Sequence, residues 1–374
     1  MALTHPMRIL HVVESMEPGG LENGIVNVAR CLDPRRFDIW VACLGTAGSF
    51  ADRLPKPEQA ITLEKPPGLS PGTVLKLART LRAVKPDILH THDLGPLIYG
   101  AAGSWGGLQV PLLHGEHCQL SAEERLVAKR WLRKFLYLLC RRVHTVSDAL
   151  RSDLITLGFN PRRLTSIPNG VDTERFKPGT AEVVRRQLSL PADGRILGIV
   201  ARLRPEKRHT LLLGAFALLA PRYPDLTLLI VGDGPDLWML RNMAESLGLS
   251  HRIRFVGHQD NPVPFYQALD LMVLPSVGEG LSNAVLEAMA CGIPVLASPA
   301  CGNADVIRTG ENGFLAAVDT AETLAVQLEK LLKAGGAIRE VGRRARLAVL
   351  ERFSVARMAQ AYDRLYSDVS AGRV

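Results

Sequence analysis

The chain has no Cys-x-x-Cys pair, no Asp-x-Asp, few aromatic residues and no long apolar run. Each absence removes a class of function. The six cysteines (Cys31, Cys43, Cys118, Cys140, Cys291, Cys301) are scattered, so no zinc or redox spacing is present. Reduced thiols in a cytoplasmic protein are expected. Aromatics make up 5%, too few for a base-stacking platform, and no nucleic-acid partner is expected. Without Asp-x-Asp, a metal-chelated nucleotide of that type lacks its ligands. No segment approaches the roughly 20 apolar residues that cross a bilayer. No apolar leader stands in Met1 to Arg8 either, so any membrane contact is expected to be peripheral. Positive charge is in excess, with a formal net charge of +8. That balance favours anionic partners such as nucleotides, phosphates or an anionic membrane surface.

At 374 residues the chain exceeds the usual single core, and two domains are expected. Arg8 to Glu14 reads as a buried strand, followed by a Pro18-Gly19-Gly20 turn and a helix over Leu21 to Cys31. Further strands are expected over Phe37–Leu44, Pro86–His92, Pro111–His117 and His144–Ser147, with helices over Leu75–Val84 and Asp148–Leu157. The pattern then restarts with strands over Arg195–Val200, Asp225–Val231, Arg252–Val256, Leu271–Leu274 and Pro294–Ala297. Helices are expected between them, over His209–Ala220 and Pro235–Leu247. Alternating strands and helices predict an α/β protein with two doubly wound parallel sheets, Rossmann-like and facing a central cleft. The Pro- and Gly-rich stretch Ile167–Gly179 reads as the linker. The expected domains are residues 1–170, 171–352 and a C-terminal segment 353–374.

Ligands of such sheets lie beyond the carboxyl ends of the strands. There Arg202 and Lys207 flank Pro205 and suit a leaving diphosphate, or else form a solvated basic loop. Gly232-x-Gly234 is half a dinucleotide fingerprint without its third glycine, or a tight turn. Gly19-Gly20 opens a helix whose N–H groups suit an anion, or is an ordinary turn. Glu279 and Glu287, eight positions apart, are either an acid/base pair or a solvated turn residue and an exposed helix residue. Five histidines fall at strand ends: His11, His90, His92, His114 and His117. A polar contact to a sugar or phosphate is preferred there over a metal site, and core histidines remain the alternative for His11 and His90. Residues 125–142 hold seven cations and no acid, with Val127, Trp131, Phe135, Leu138 and Leu139 on one arc. Either this helix lies on an anionic bilayer, or its apolar arc packs into the core.

In this order Gly19-Gly20, Arg202 to Lys207, Val231 to Gly234 and Glu279 to Glu287 resemble the retaining glycosyltransferases of family 4, of the GT-B fold. The strings Gly19–Asn27, Lys65–Gly68 and His114–His117 resemble the sugar transferases of exopolysaccharide and PEP-CTERM/exosortase loci. The resemblance implies a metal-independent enzyme that moves a sugar from a nucleotide-diphosphate donor to a lipid-linked or polysaccharide acceptor. It implies Glu287 on the ribose hydroxyls and Arg202 with Lys207 on the diphosphate. It implies Glu279 on the donor sugar, aided by backbone N–H groups of Gly280, Leu281 and Ser282. Gly20 would approach the phosphates, His114 the donor sugar and acceptor, and the segment Phe353–Tyr366 would cross back to the first domain. Leu281 departs from the family, which often has Phe there. A nucleotide-sugar epimerase and a non-catalytic nucleotide-sugar-binding subunit are the competing readings.

Overall fold

The structure, a computed structural model, describes residues 5–104, 110–120, 123–190, 194–277, 280–300 and 302–373. Contacts divide the chain into two compact units, one up to Gly170 together with Val355 onward, the other Val171–Ser354.

In the first unit, seven parallel strands are β1 (Met7–Val13), β2 (Phe37–Cys43), β3 (Ala60–Thr62), β4 (Ile88–His92), β5 (Leu112–Glu116), β6 (Arg142–Thr145) and β7 (Leu164–Ser166). Their order is β3-β2-β1-β4-β5-β6-β7. The second unit holds β8 (Arg195–Val200), β9 (Leu226–Val231), β10 (Ile253–Phe255), β11 (Leu271–Leu274), β12 (Val295–Ala297) and β13 (Phe314–Leu315). These are also parallel, in the order β10-β9-β8-β11-β12-β13. Two doubly wound parallel sheets are thus the architecture. The near-continuous burial of β4, β5 and β9 is what a sheet covered on both faces demands.

Several boundaries differ from the sequence reading. The helix Pro71–Val84 begins four residues before Leu75, because the Ser70 hydroxyl accepts the Thr73 N–H and Pro71 fits the first helical position. Strands β3, β7 and β13 were not expected; at two or three residues they carry no readable alternation. The helix Leu94–Ser104 also escaped, since Pro96, Leu97, Tyr99, Gly100 and Gly103 are all buried and no polar stripe marks it.

The helix Val355–Ser370 packs against the helix Gly20–Cys31 and closes one face of the first sheet. Met358, Tyr362 and Tyr366 join Ile9, Val28, Phe37, Ile88 and Leu113 in one core. Arg36 and Asp363 hold it with a paired guanidinium and carboxylate.

Candidate active site

The carboxyl edge of the second sheet gathers most of the residues marked in the sequence. The loops leaving β8 and β9 are zipped together by backbone hydrogen bonds. Ala201 N–H donates to Val231 (3.0 Å), Leu203 N–H to Asp233 (2.9 Å) and Asp236 N–H to the Leu203 carbonyl (3.2 Å). Gly232 and Gly234 take φ of +135° and +159°. A Cβ on either would run into the carbonyl oxygen of Ala201 or Leu203. The close approach these glycines permit is therefore made by the chain itself, which favours the tight-turn reading of the pair.

Leu203, wholly buried, anchors the loop between exposed Arg202 and Arg204. Lys207 ends a short 3-10 turn, Pro205–Lys207, and is part-exposed. The Glu206 carbonyl accepts from Val277 N–H (2.9 Å), tying this loop to the one leaving β11. Glu279, with Gly278, lies outside the described residues. Gly280, Leu281 and Ser282 are buried, and a Cβ on Gly302 would strike the Gly280 carbonyl oxygen.

Glu287 lies on the helix Asn283–Ala290, where its Oε2 accepts from the hydroxyl of fully buried Tyr266 at 2.7 Å. Burial pushes its carboxyl up to about 7, against the pull of the Tyr266 hydrogen bond and the Arg175 charge. A carboxyl so poised accepts hydrogen bonds above neutrality and can donate one below it.

In the first unit, Gly20 is exposed and opens the helix Gly20–Cys31 at the carboxyl end of β1. A Cβ on Gly19 would meet the Glu22 carboxylate, which lies over the turn. His114 is fully buried, with Nδ1 3.0 Å from Thr91 Oγ1 and Nε2 3.2 Å from Glu116 Oε1. His117 is the member of that string that reaches a small cavity, shared with His11, Leu21, Gly24, His92 and Asn169.

Strand register explains the division. Thr91 pairs with His114, whereas His92 pairs with Gly115 and Gly115 with His144. His11 pairs with His90 in the same way. Since successive side chains take opposite faces, His11, His90, His92 and His144 share one face, and His114 the other. His144 is a member of the group that the sequence reading missed. The signal was its parity beside a glycine.

On the far side, Glu116 is buried and receives Arg133 Nη1 at 2.7 Å, His114 and the Tyr137 hydroxyl. Burial alone would raise its carboxyl, but the His114 hydrogen bond and the Arg133 charge bring it down to about 2. Arg133 Nη2 also meets Glu124 at 2.7 Å.

This ion pair turns the helix Val127–Leu139 over. Its buried residues are Arg133, Leu136 and Tyr137, while Trp131 is 64%, Phe135 59% and Leu138 61% exposed. The reading that packed the apolar arc into the core is thereby corrected: a buried charge pair occupies the inner face. A groove of about 290 Å³ runs beside Trp131, Lys134, Phe135, Leu138, Phe159 and Arg163. Among the described residues no helix is long and apolar enough to cross a membrane.

A family model described as Glycosyltransferase Family 4 matches residues 18–175, and one described as Glycosyl transferases group 1 matches residues 181–348. The chain is a GT-B glycosyltransferase. This glycosyltransferase is similar to D-inositol 3-phosphate glycosyltransferase 2 of Catenulispora acidiphila, 28% identical and covering 97% of the chain and 94% of the relative. N-acetyl-alpha-D-glucosaminyl L-malate synthase of Bacillus anthracis is 30% identical over 61% of the chain and 59% of its own length. The crystal structure of Anabaena HepE in complex with UDP and glucose superposes with a TM-score of 0.86 at 25% identity, covering 96% of this chain and 99% of that one. The parallel sheets in both units therefore agree with the fold that the sequence predicted.

Proposed function

We propose that the enzyme transfers a sugar from a nucleotide-diphosphate donor, with retention, to a lipid-linked or polysaccharide acceptor in exopolysaccharide or cell-surface glycan synthesis. The observation that carries this is the carboxyl edge of the second sheet, which combines the Arg202–Lys207 cations with a carboxyl at Glu287 poised near neutrality. Arg202 and Lys207 take the diphosphate, so its charge needs no metal, and Glu287 takes the ribose hydroxyls. Contacts to the sugar are assigned to Glu279 and to the N–H groups of Gly280, Leu281 and Ser282. Because both nitrogens of His114 are engaged, the histidine contact passes to His117, with His114 ordering Glu116 behind it.

In the reaction the anomeric carbon–phosphate oxygen bond breaks and a bond to the acceptor oxygen forms on the same face. The departing phosphate oxygen takes the acceptor's proton, and the fixed cations stabilise the charge that develops.

The acceptor's chemistry draws in the outward helix. Trp131, Phe135 and Leu138 beside Lys129, Arg130, Lys134 and Arg141 suit an anionic phospholipid bilayer, with the aromatic arc at the headgroup boundary. We assign the protein to the inner face of the cytoplasmic membrane on that ground.

The test is a thermal-shift panel of UDP-, GDP- and ADP-sugars, followed by nucleotide release measured with and without a polyprenyl-diphosphate-sugar acceptor. One donor should stabilise the protein, and release should require acceptor. Release without acceptor and with an altered sugar would mean an epimerase. Binding without turnover on any acceptor would mean a non-catalytic subunit.

A further inference from the structure

Five histidines at the carboxyl end of the first sheet, His11, His90, His92, His117 and His144, share one face, and the proposed transfer chemistry draws only on His117 among them. Their contacts form a continuous set. His117 Nε2 lies 2.9 Å from His92 Nδ1, and His92 Nε2 lies 2.8 Å from His11 Nδ1. His11 Nε2 reaches the Tyr366 hydroxyl at 3.4 Å, and that hydroxyl lies 3.1 Å from His90 Nδ1. His90 Nε2 is 2.9 Å from His144 Nε2. His144 Nδ1 is buried and has no hydrogen-bond partner among the described residues.

One nitrogen each from His92, His117 and His144 lie within 4.8 Å of one another. We propose that His92, His117 and His144 bind a divalent transition metal ion of the zinc class. Three imidazoles on three neighbouring strand ends are a borderline-soft nitrogen set, which suits zinc, cobalt or nickel over magnesium or calcium.

Three features of the surroundings fit that assignment. Metal-bound histidine normally donates its second N–H to a fixed acceptor, and here His92 Nε2 has His11 Nδ1 at 2.8 Å. His11 and His90 then both donate to the Tyr366 oxygen, which has two lone pairs, and His92 Nδ1 is left bare for the metal. Ligand imidazoles must be neutral. Burial, with the neighbouring rings, holds His92 and His144 well below the usual histidine range, while burial takes His117 down to about 4. Finally, Gly115 makes the room: a Cβ there would lie 2.6 Å from His144 Nε2 and 2.9 Å from His117 Nε2.

Three protein ligands leave a fourth tetrahedral position for water or for an oxygen from the adjoining cavity. The ion ties the ends of β4, β5 and β6 together, and takes no part in holding the diphosphate proposed above.

The experiment uses the full-length chain without a polyhistidine tag, dialysed against chelator and titrated with Co²⁺ and with Zn²⁺. One equivalent of Co²⁺ should give the intense visible absorption of a tetrahedral nitrogen site, and Zn²⁺ should displace it. Zn²⁺ should also raise the melting temperature. His144→Asn should lose at least tenfold in affinity, and His11→Gln, in the supporting position, about 10- to 100-fold. No saturable Co²⁺ spectrum on folded wild-type protein would overturn the proposal. So would Zn²⁺ binding that survives unchanged in folded His144→Asn, because surface groups such as His5, His251 or His258 would then hold the ion. UDP-sugar stabilisation recorded on the same samples separates this result from the donor assignment.

Discussion

Gly115 and His144 face each other in register on β5 and β6, and the imidazole fills the space that the glycine's missing side chain leaves. Gly115→Ala must therefore move His144 or the strand, at about 1–3 kcal/mol for an overpacked core. Urea unfolding should show it, and a midpoint equal to wild type would contradict the packing described.

Glu287 and Lys207 are expected to act on the donor alone. Lys207→Ala and Glu287→Ala should each lower donor binding or turnover at least tenfold, about 1.4 kcal/mol. Near-normal kinetics in either folded variant would remove the donor site proposed.

The raised carboxyl of Glu287 also predicts a pH dependence. Its folded value of about 7 exceeds the ordinary 4.5, so the folded second unit binds the extra proton between those values. Stability from this group is greatest at and below about pH 4.5 and falls as pH rises to about 7. Glu287→Gln should erase that slope in hydrogen-exchange measurements on peptides of the second unit. The first unit should run the other way. In the metal-free protein His11 at about 3 and His117 at about 4 take up protons on unfolding, so its stability falls as pH drops below about 6.5. A single common pH profile for both units would contradict the pair of assignments.

Removing Arg133 leaves Glu116 buried without its main cation. Arg133→Met should cost about 3–5 kcal/mol in stability. In the wild type, Glu116 contributes stability above about pH 4.5 that is lost as pH falls toward about 2. Calorimetry of the variant should show this acid-side dependence diminished, because the carboxyl no longer starts from so low a value.

The exposed arc of the helix Val127–Leu139 makes a binding prediction. Phe135→Asp, or neutralising Lys129, Arg130 and Lys134 together, should weaken flotation with phosphatidylglycerol vesicles by at least tenfold while leaving the melting temperature within a few degrees. Added salt should weaken the wild type as well. Unchanged flotation in both variants would end the membrane assignment.

The fold was readable because buried parallel strands announce themselves as apolar runs separated by helices. Arg195–Val200 and Leu271–Leu274 are the strands expected, to the residue. The proposed donor edge draws on the same signal, since its loops follow such strands directly. The helix around Arg133 was harder. Periodicity showed two arcs but could not say which faced inward, because the deciding partner, Glu116, lies 17 positions away. The histidines divide by strand parity, which the sequence held in His90-Thr91-His92 and His114-Gly115. That signal becomes useful only once the register between strands is known, and register depends on long-range pairing.

The helix Val355–Ser370 leaves the ribosome after every residue of the second unit has been made, yet it supplies Tyr362 and Tyr366 to the first. The uninterrupted stretch Val171–Ser354 can finish folding on its own schedule. The first unit waits, with His11 and His90 lacking their shared phenol, until the helix Val355–Ser370 arrives. Order of synthesis and order of completion are thus reversed between the two halves of this enzyme.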